Sequence, residues 1–464
     1  MHPTLASDLA NLDLLLEHTW RHAVVALASL ERRPAALVPP PAQPVPLPNE
    51  GRGLHAALDE FTSRWAPGFS GSAGPRYLGF VTGGATPASL AGDWLTSVYD
   101  QNPTAGIDSS APDLEREAVS WLRQLFGLSD AQQGVFVTGA TMSNLVGLAL
   151  GREWLGEQKN VSVSDQGVVA LGQVTVLSAT THSSIFKALS VLGLGRKAVR
   201  KVATLPEREA IDIAALEAEL ALLDGEPVIV VASAGTVNTV DFDDLVAIHA
   251  LKQRYPFWLH VDAAFGAFAA LVPEHAALVA GLDAADSICI DLHKWLNVPY
   301  DAAVQFTRRR DLQVRVFQNS AAYLGVPTDN PDFVHLTPEN SRRLRALATW
   351  FSLAAYGREG HAEIVARNVR LARALGVLVD AESSLRLLAL TRLNVVCFTL
   401  AREPTEARIN AYVQAVRDLG DVFITSTLYC GTWGLRVAFS NWRTSEQDVP
   451  RIFDSLRRAL DALQ

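Results

Sequence analysis

Cysteine is scarce in this chain. The three that occur, Cys289, Cys397 and Cys430, are too few for a disulfide framework, and none has zinc-ligand spacing, so no metal site is expected. Such usage fits a reducing cytosol, and a cytoplasmic protein is the expectation. Long apolar runs are also missing. The most apolar stretches, such as residues 228–232, have the length of a strand. They fall far short of the roughly 18–20 residues that span a bilayer, so no membrane partner is expected. The amino terminus carries no basic region followed by a short apolar run, so no signal peptide is expected. Positive charge is not in excess either: 40 Lys and Arg stand against 49 Asp and Glu, a net −9 at pH 7. A nucleic-acid partner would need a basic face, so none is expected; the short cluster Arg308-Arg309-Arg310 reads as the cap of a strand end. Finally, no G-x-G-x-x-G opens a helix after the first strand, which argues against a nicotinamide dehydrogenase.

What is present is a large apolar content, 49% over 464 residues, enough for a sizeable core and more than one domain. Leu9, Leu12, Leu15, Leu16 and Trp20 recur at helical spacing, so residues 7–30 are expected to form an amphipathic helix. A proline-dense stretch follows, from Pro39-Pro40-Pro41 through Pro44, Pro46 and Pro48. Prolines stiffen the backbone and cannot donate to a ladder, so this is an extended arm, either a linker or a segment lying across a partner subunit. Between residues 76 and 310, short apolar runs at 134–137, 174–177, 228–232, 258–261, 287–290 and 302–306 alternate with helical patterns such as 143–154. That alternation predicts an α/β fold with a mostly parallel sheet covered on both faces. Past residue 345 the pattern changes to two helices (343–356 and 362–378), strands at 395–400 and 434–439, and a closing helix from about 445. The expected domains are 1–75 (helix and proline arm), 76–310 (large domain), 311–344 (loop or linker at the active site) and 345–464 (small α+β domain). No internal repeat is evident.

The chemistry concentrates just after the apolar run 287–290, in Asp291-Leu292-His293-Lys294-Trp295. A lysine at the carboxyl end of a strand stands where open α/β sheets bind ligands. About thirty residues earlier, His260-Val261-Asp262-Ala263-Ala264-Phe265 ends another apolar run on an aspartate among small residues. Pyridoxal 5′-phosphate (PLP) needs such a pair. The lysine amine forms the Schiff base, and the carboxylate keeps the pyridine nitrogen protonated so that the ring draws electrons. The small side chain of Ala264 lets a planar ring approach the backbone.

On these residues the chain resembles the group II PLP-dependent amino-acid decarboxylases, which include the aromatic amino-acid, histidine and glutamate decarboxylases. The resemblance covers roughly residues 50–445. It implies PLP fold type I: a mostly parallel seven-stranded sheet flanked by helices, with a smaller C-terminal α+β domain. It implies Lys294 as the Schiff-base residue and Asp262 as the partner of the ring nitrogen, with His293 beside Lys294 in the matching motif. Three further segments fit. Val137-Thr138-Gly139-Ala140-Thr141-Met142-Ser143-Asn144 joins a strand to a helix, a ready anion site, and the family places the cofactor phosphate at Ala140 and Thr141. His182, in Thr181-His182-Ser183-Ser184, is implied to stack on the cofactor opposite Ala264 and to assist proton transfer. Thr82, in Phe80-Val81-Thr82-Gly83-Gly84, is implied to lie near the substrate carboxylate, with Phe80 and Arg76 close by.

Some positions depart from the family pattern. Gly235-Thr236-Val237-Asn238 stands where a Gly-Thr-Thr is usual, so a hydroxyl near the cofactor is lost to Val237 or supplied by Thr236 or Asn238. Asp291 puts a carboxylate near the phosphate, where it must be turned away or paired. Between Asn319 and Ser341, where the family has a tyrosine that protonates the product carbanion, alignment places Phe333, with Tyr323 as a substitute. Phenylalanine there accompanies aldehyde formation in the family. The expected activity is α-decarboxylation of a small-molecule L-amino acid, leaning to an aromatic one, giving amine and CO2, in a homodimer. The rivals are an aldehyde synthase, aminotransferase or aldolase on the same fold, and a non-catalytic PLP-binding protein.

Overall fold

The computed structural model describes residues 1–39, 41, 43–319 and 330–463. Seven strands form the large sheet: β1 (Gln133–Val137), β2 (Val176–Ser178), β3 (Val199–Lys201), β4 (Val228–Ser233), β5 (Phe257–Asp262), β6 (Ser287–Asp291) and β7 (Ala303–Thr307). Their order is β1-β7-β6-β5-β4-β2-β3, and only β7 runs antiparallel to its neighbours. Every residue of 228–232 is at most 2% exposed, because helices cover both faces of the sheet and leave no solvent side for alternation. β3 carries exposed Arg200 and Lys201 on the sheet edge, where charge discourages pairing with another chain. That charge also hid β3 from an apolar-run reading.

The helix Ala140–Gln158 lies on the centre of the sheet, and one glycine sets how closely it lies. A Cβ at Gly147 would stand 2.7 Å from the His260 ring, so only glycine admits β5 at this distance. This brings Asn144, one turn earlier, within hydrogen-bond reach of His260 and Asp262.

Residues Ala346–Ala381 form one long helix broken at Gly357 (φ 57°, ψ −168°), and the two expected helices are its halves. Beyond it a second sheet contains β8 (Leu385–Leu387), β9 (Val395–Leu400), β10 (Thr425–Tyr429) and β11 (Thr432–Ala438), all antiparallel in the order β10-β11-β9-β8. Its core, with Phe398, Tyr412 and Leu435, also takes in Leu78. The backbone of Leu78 donates to Phe423 and accepts from Ala438, each at 2.9 Å. Residues 76–79, which the sequence groups with the large domain, therefore dock on the small sheet. Arg76 is buried there against Asp448 at 2.8 Å, which removes it from the neighbourhood of any substrate. The amino terminus forms two helices, Pro3–Ala10 and Leu12–Ala28, in place of the single helix expected over 7–30. The chain breaks at Asn11, whose side chain turns back to the Ser7 carbonyl at 2.8 Å.

Candidate active site

The carboxyl ends of β1, β2, β4, β5 and β6 point to one side, as they must in a sheet whose strands run parallel there. The segments that follow them line a cavity of about 380 Å³: Thr138–Met142 after β1, Thr180–His182 after β2, Gly235–Val237 after β4, Ala264–Phe265 after β5 and His293–Lys294 after β6. Phe80, Val81 and Thr82 reach it from the docked segment, Tyr300 from the loop before β7, and Arg436 from β11 of the small sheet.

Lys294 sits in the short turn Leu292–Trp295, its Nζ 3.5 Å from Asp291 Oδ2. Asp262 ends β5. Its Oδ2 accepts from Asn144 Nδ2 at 3.0 Å and its Oδ1 from the Ala264 N–H at 3.2 Å. His182 caps the helix Ser183–Val191; its Nδ1 is 2.7 Å from Ser184 Oγ and accepts the Ser184 N–H at 3.2 Å. His182 is exposed to the cavity, and desolvation by the surrounding walls lowers its pKa, with Lys294 and Arg436 adding to the effect and Asp262 opposing it. The neutral ring is therefore the form present at neutral pH.

Asp291 is paired. Its Oδ1 lies 3.1 Å from His293 Nδ1, and Lys294 is on its other oxygen. Burial pushes its pKa up, while Lys294, His293 and the backbone N–H of Ala140 hold it back. His293 packs its ring on Tyr300 at 4.2 Å, and burial lowers its pKa as well. Ala140 and Thr141 open the helix Ala140–Gln158, placing its N-terminal dipole end at the cavity. The Thr82 hydroxyl is 2.8 Å from that of Tyr300, and Phe80 is half exposed at the mouth.

Two expectations change. Thr236 lines the cavity, but its Oγ1 donates to Glu209 at 2.5 Å and accepts the Asp241 N–H at 2.9 Å. Its hydroxyl is committed to the protein and is not free for a cofactor. Asn238 is likewise engaged, with Glu209, Thr427 and the Leu428 carbonyl. Phe333 is not on the cavity wall. It is 3% exposed, between the guanidiniums of Arg116 and Arg342 at 5.3 and 5.5 Å. The buried Arg342–Glu115 pair pins this segment, and removing either partner would leave an uncompensated charge at a cost of about 3–5 kcal/mol. Tyr323 lies outside the described residues.

Sequence reasoning missed Arg436 and Tyr300. Arg436 is half-buried; its Nη1 donates to the Val237 carbonyl at 2.9 Å and its Nη2 to the Gly79 carbonyl at 3.1 Å, and its Nε has no partner. Among the described residues no carboxylate forms an ion pair with it, and the charge of Glu209 acts on it from farther off. No local motif marks it, because it comes from a different sheet. Among the described residues no group of His, Cys, Asp and Glu is arranged to hold a metal ion.

The model of the pyridoxal-dependent decarboxylase conserved domain matches residues 39–401. The chain belongs to that family. It is 27% identical over 397 residues to an aromatic-L-amino-acid decarboxylase of Bacillus atrophaeus, covering 82% of this chain and 80% of the relative. It is 29% identical over 429 residues to an L-2,4-diaminobutyrate decarboxylase of Rhizobium meliloti (strain 1021), covering 89% and 83%. The fold matches the crystal structure of Oryza sativa TDC with PLP and tryptamine with a TM-score of 0.90 at 22% identity, over the whole of both chains.

The protein is thus a PLP-dependent enzyme of the carboxy-lyase class. The donor set fits the cofactor: a lysine amine, a carboxylate held by two N–H donors, and a helix N-terminus at one cavity. When bound, PLP supplies the electron sink for the bond broken at the substrate Cα. Asp262, oriented by Asn144 and Ala264, would hold a proton on the ring nitrogen, and Ala140 and Thr141 would hold the phosphate.

Proposed function

We propose that the enzyme removes the α-carboxylate of an L-amino acid with an aromatic side chain, releasing the amine and CO2. The observation that carries this reading is Arg436, a half-buried guanidinium on the cavity wall whose hydrogen-bond partners are carbonyls. A partly desolvated cation with no directly paired carboxylate carries a cost, and a ligand carboxylate would offset it. Thr82 and Tyr300 add hydroxyl donors at the same cavity. The side-chain preference rests on the remaining walls. Phe80, Val237, Phe265 and Tyr300 line them, and the two carboxylates there are not open to a second ammonium: Asp262 is bonded to Asn144, and Asp291 is 2% exposed beside Lys294 and His293. A diamino substrate would need a free carboxylate for its second ammonium, so the lining favours an aromatic ring.

The test is CO2 release from each of the twenty amino acids and from 2,4-diaminobutyrate, with peroxide measured alongside. The expected result is release from an aromatic substrate without stoichiometric peroxide. Release from diaminobutyrate alone overturns the substrate class, and stoichiometric peroxide overturns the reaction in favour of aldehyde formation. Arg436→Met should raise KM by about tenfold or more through loss of a charge-assisted pair. An unchanged KM removes the carboxylate role.

The working unit under this proposal is a homodimer. In support, neither amino-terminal helix has a buried residue, and Leu5, Leu9, Leu12, Leu14, Leu16 and Trp20 are all exposed. A stripe of that size calls for cover. Equilibrium sedimentation showing an active monomer would refute it.

A further inference from the structure

Behind the cavity a chain of buried side chains crosses from β6 to the helix that His182 caps. Trp258 Nε1 donates to Ser287 Oγ at 3.0 Å, and Ser287 Oγ is 2.7 Å from His260 Nδ1. His260 Nε2 is 2.9 Å from Asn144 Oδ1. Asn144 Nδ2 donates twice, to Asp262 Oδ2 and to Ser184 Oγ, each at 3.0 Å. Ser184 Oγ is then 2.7 Å from His182 Nδ1.

The direction of every bond follows from one constraint. A carboxylate can only accept, so the Asn144 amide must turn its NH2 to Asp262 and its oxygen to His260. His260 Nε2 is therefore a donor. His260 is fully enclosed, and burial lowers its pKa to about 4, so the ring is neutral and Nδ1 is an acceptor. The Ser287 hydroxyl supplies that hydrogen, with the Trp258 N–H occupying its lone pair. In the other direction, the second Asn144 N–H occupies a lone pair of Ser184. That turns the Ser184 hydroxyl hydrogen toward His182 Nδ1, which also accepts the Ser184 backbone N–H.

We infer that this chain fixes His182 as the Nε2–H tautomer, and that Asn144, Ser184 and His260 are positioning residues for it. The ring nitrogen left free, Nε2, is then a donor and cannot take a proton. Protonating His182 requires Nδ1 and the loss of both bonds that it accepts. Asp262, Asp291, Lys294 and Arg436 are the charged groups that act on the ring. In the proposed reaction His182 therefore donates a hydrogen bond from Nε2 and does not act as a base there. That consequence rests on the proposed function, whereas the tautomer rests on the hydrogen bonds alone.

The tautomer can be read without substrate or cofactor. Magic-angle-spinning 15N NMR of protein carrying 15N-histidine distinguishes the two nitrogens, with the His182 signals assigned by their loss in His182→Gln. The expected spectrum has a pyridine-like Nδ1 and a pyrrole-like Nε2. In Asn144→Asp the N–H that occupies the Ser184 lone pair is lost, and the new carboxyl, sharing a proton with Asp262, offers Ser184 an oxygen to donate to; the preference should erode or invert. Ser184→Ala should lower the tautomer ratio by about tenfold, the worth of one hydrogen bond, and Ser184→Thr should restore it. A wild-type His182 protonated on Nδ1 overturns the inference. So does a wild-type Nε2–H whose ratio is unmoved in both Asn144→Asp and Ser184→Ala. Either result is independent of which amino acid the enzyme accepts.

Discussion

Alanine at Gly83 would place a Cβ 1.9 Å from the carbonyl oxygen of Lys294 and 2.0 Å from Asn297 Nδ2. Neither neighbour can yield cheaply. Asn297 is fully buried, and its Nδ2 donates to the Ser440 carbonyl at 2.7 Å and to the Lys294 carbonyl at 3.2 Å. Ordinary contact begins near 3.4 Å, so the two segments must part by about 1.5 Å (3.4 less 1.9). Overpacking of this kind costs about 1–3 kcal/mol. The larger effect is on the site, because the displaced residue is Lys294 itself, and a misplacement of about 1 Å can cost roughly 10²-fold in rate. Gly83→Ala should therefore lower cofactor occupancy, read from the absorbance of the bound cofactor, and lower kcat by about 10²-fold or more. The melting temperature should fall by a few degrees. Gly51→Ala, where an added Cβ meets nothing within 4 Å, is the control and should match wild type. Full occupancy with kcat within about twofold of wild type in Gly83→Ala would refute the reasoning, since misplacement on this scale cannot be so cheap.

Further perturbations separate the roles of individual groups. Lys294→Ala should abolish turnover and the cofactor band near about 420 nm; a full-strength band would show that another amine holds PLP. Asp291→Asn should tighten PLP and flatten its dependence on pH, because the ionised carboxylate shares the Ala140 N–H that the phosphate needs; equilibrium dialysis at two pH values showing weaker binding would remove that role. His361 is buried, and burial lowers its pKa to about 4. A depressed histidine contributes stability above its unfolded value of about 6.5 and loses it as pH falls toward 4, on the order of 3 kcal/mol in all. The urea midpoint of wild type should therefore drop relative to His361→Leu between neutral pH and pH 4, and parallel curves would show that the ring is not buried in its neutral form.

Much of this protein is legible in one dimension. The apolar runs at 228–232, 258–261 and 287–290 each became a strand because burial on both faces leaves a continuous signal that needs no partner to be read. The residues proposed to hold the cofactor were legible for a related reason. Asp262 and Lys294 stand at strand ends, and chain direction alone puts parallel strand ends on one side. Short or charged pieces escaped, such as β3 with Arg200 and Lys201, since a strand on a sheet edge is defined by its neighbour. Arg436 and Tyr300 escaped for the same reason on a larger scale: they reach the cavity from β11 and from the loop before β7, and no spacing records which elements pack together. Phe333 shows the converse. The alignment proposes it for the protonation site, whereas only the tertiary structure shows that in this chain it lies beside two guanidiniums and the buried Arg342–Glu115 pair, off the cavity wall. The sequence by itself determined which strands form and which residues end them, because those depend on local polarity and chain direction. The tertiary structure alone decided which distant side chains share the cavity and which way each hydrogen bond runs, because those depend on contacts between segments far apart in the chain.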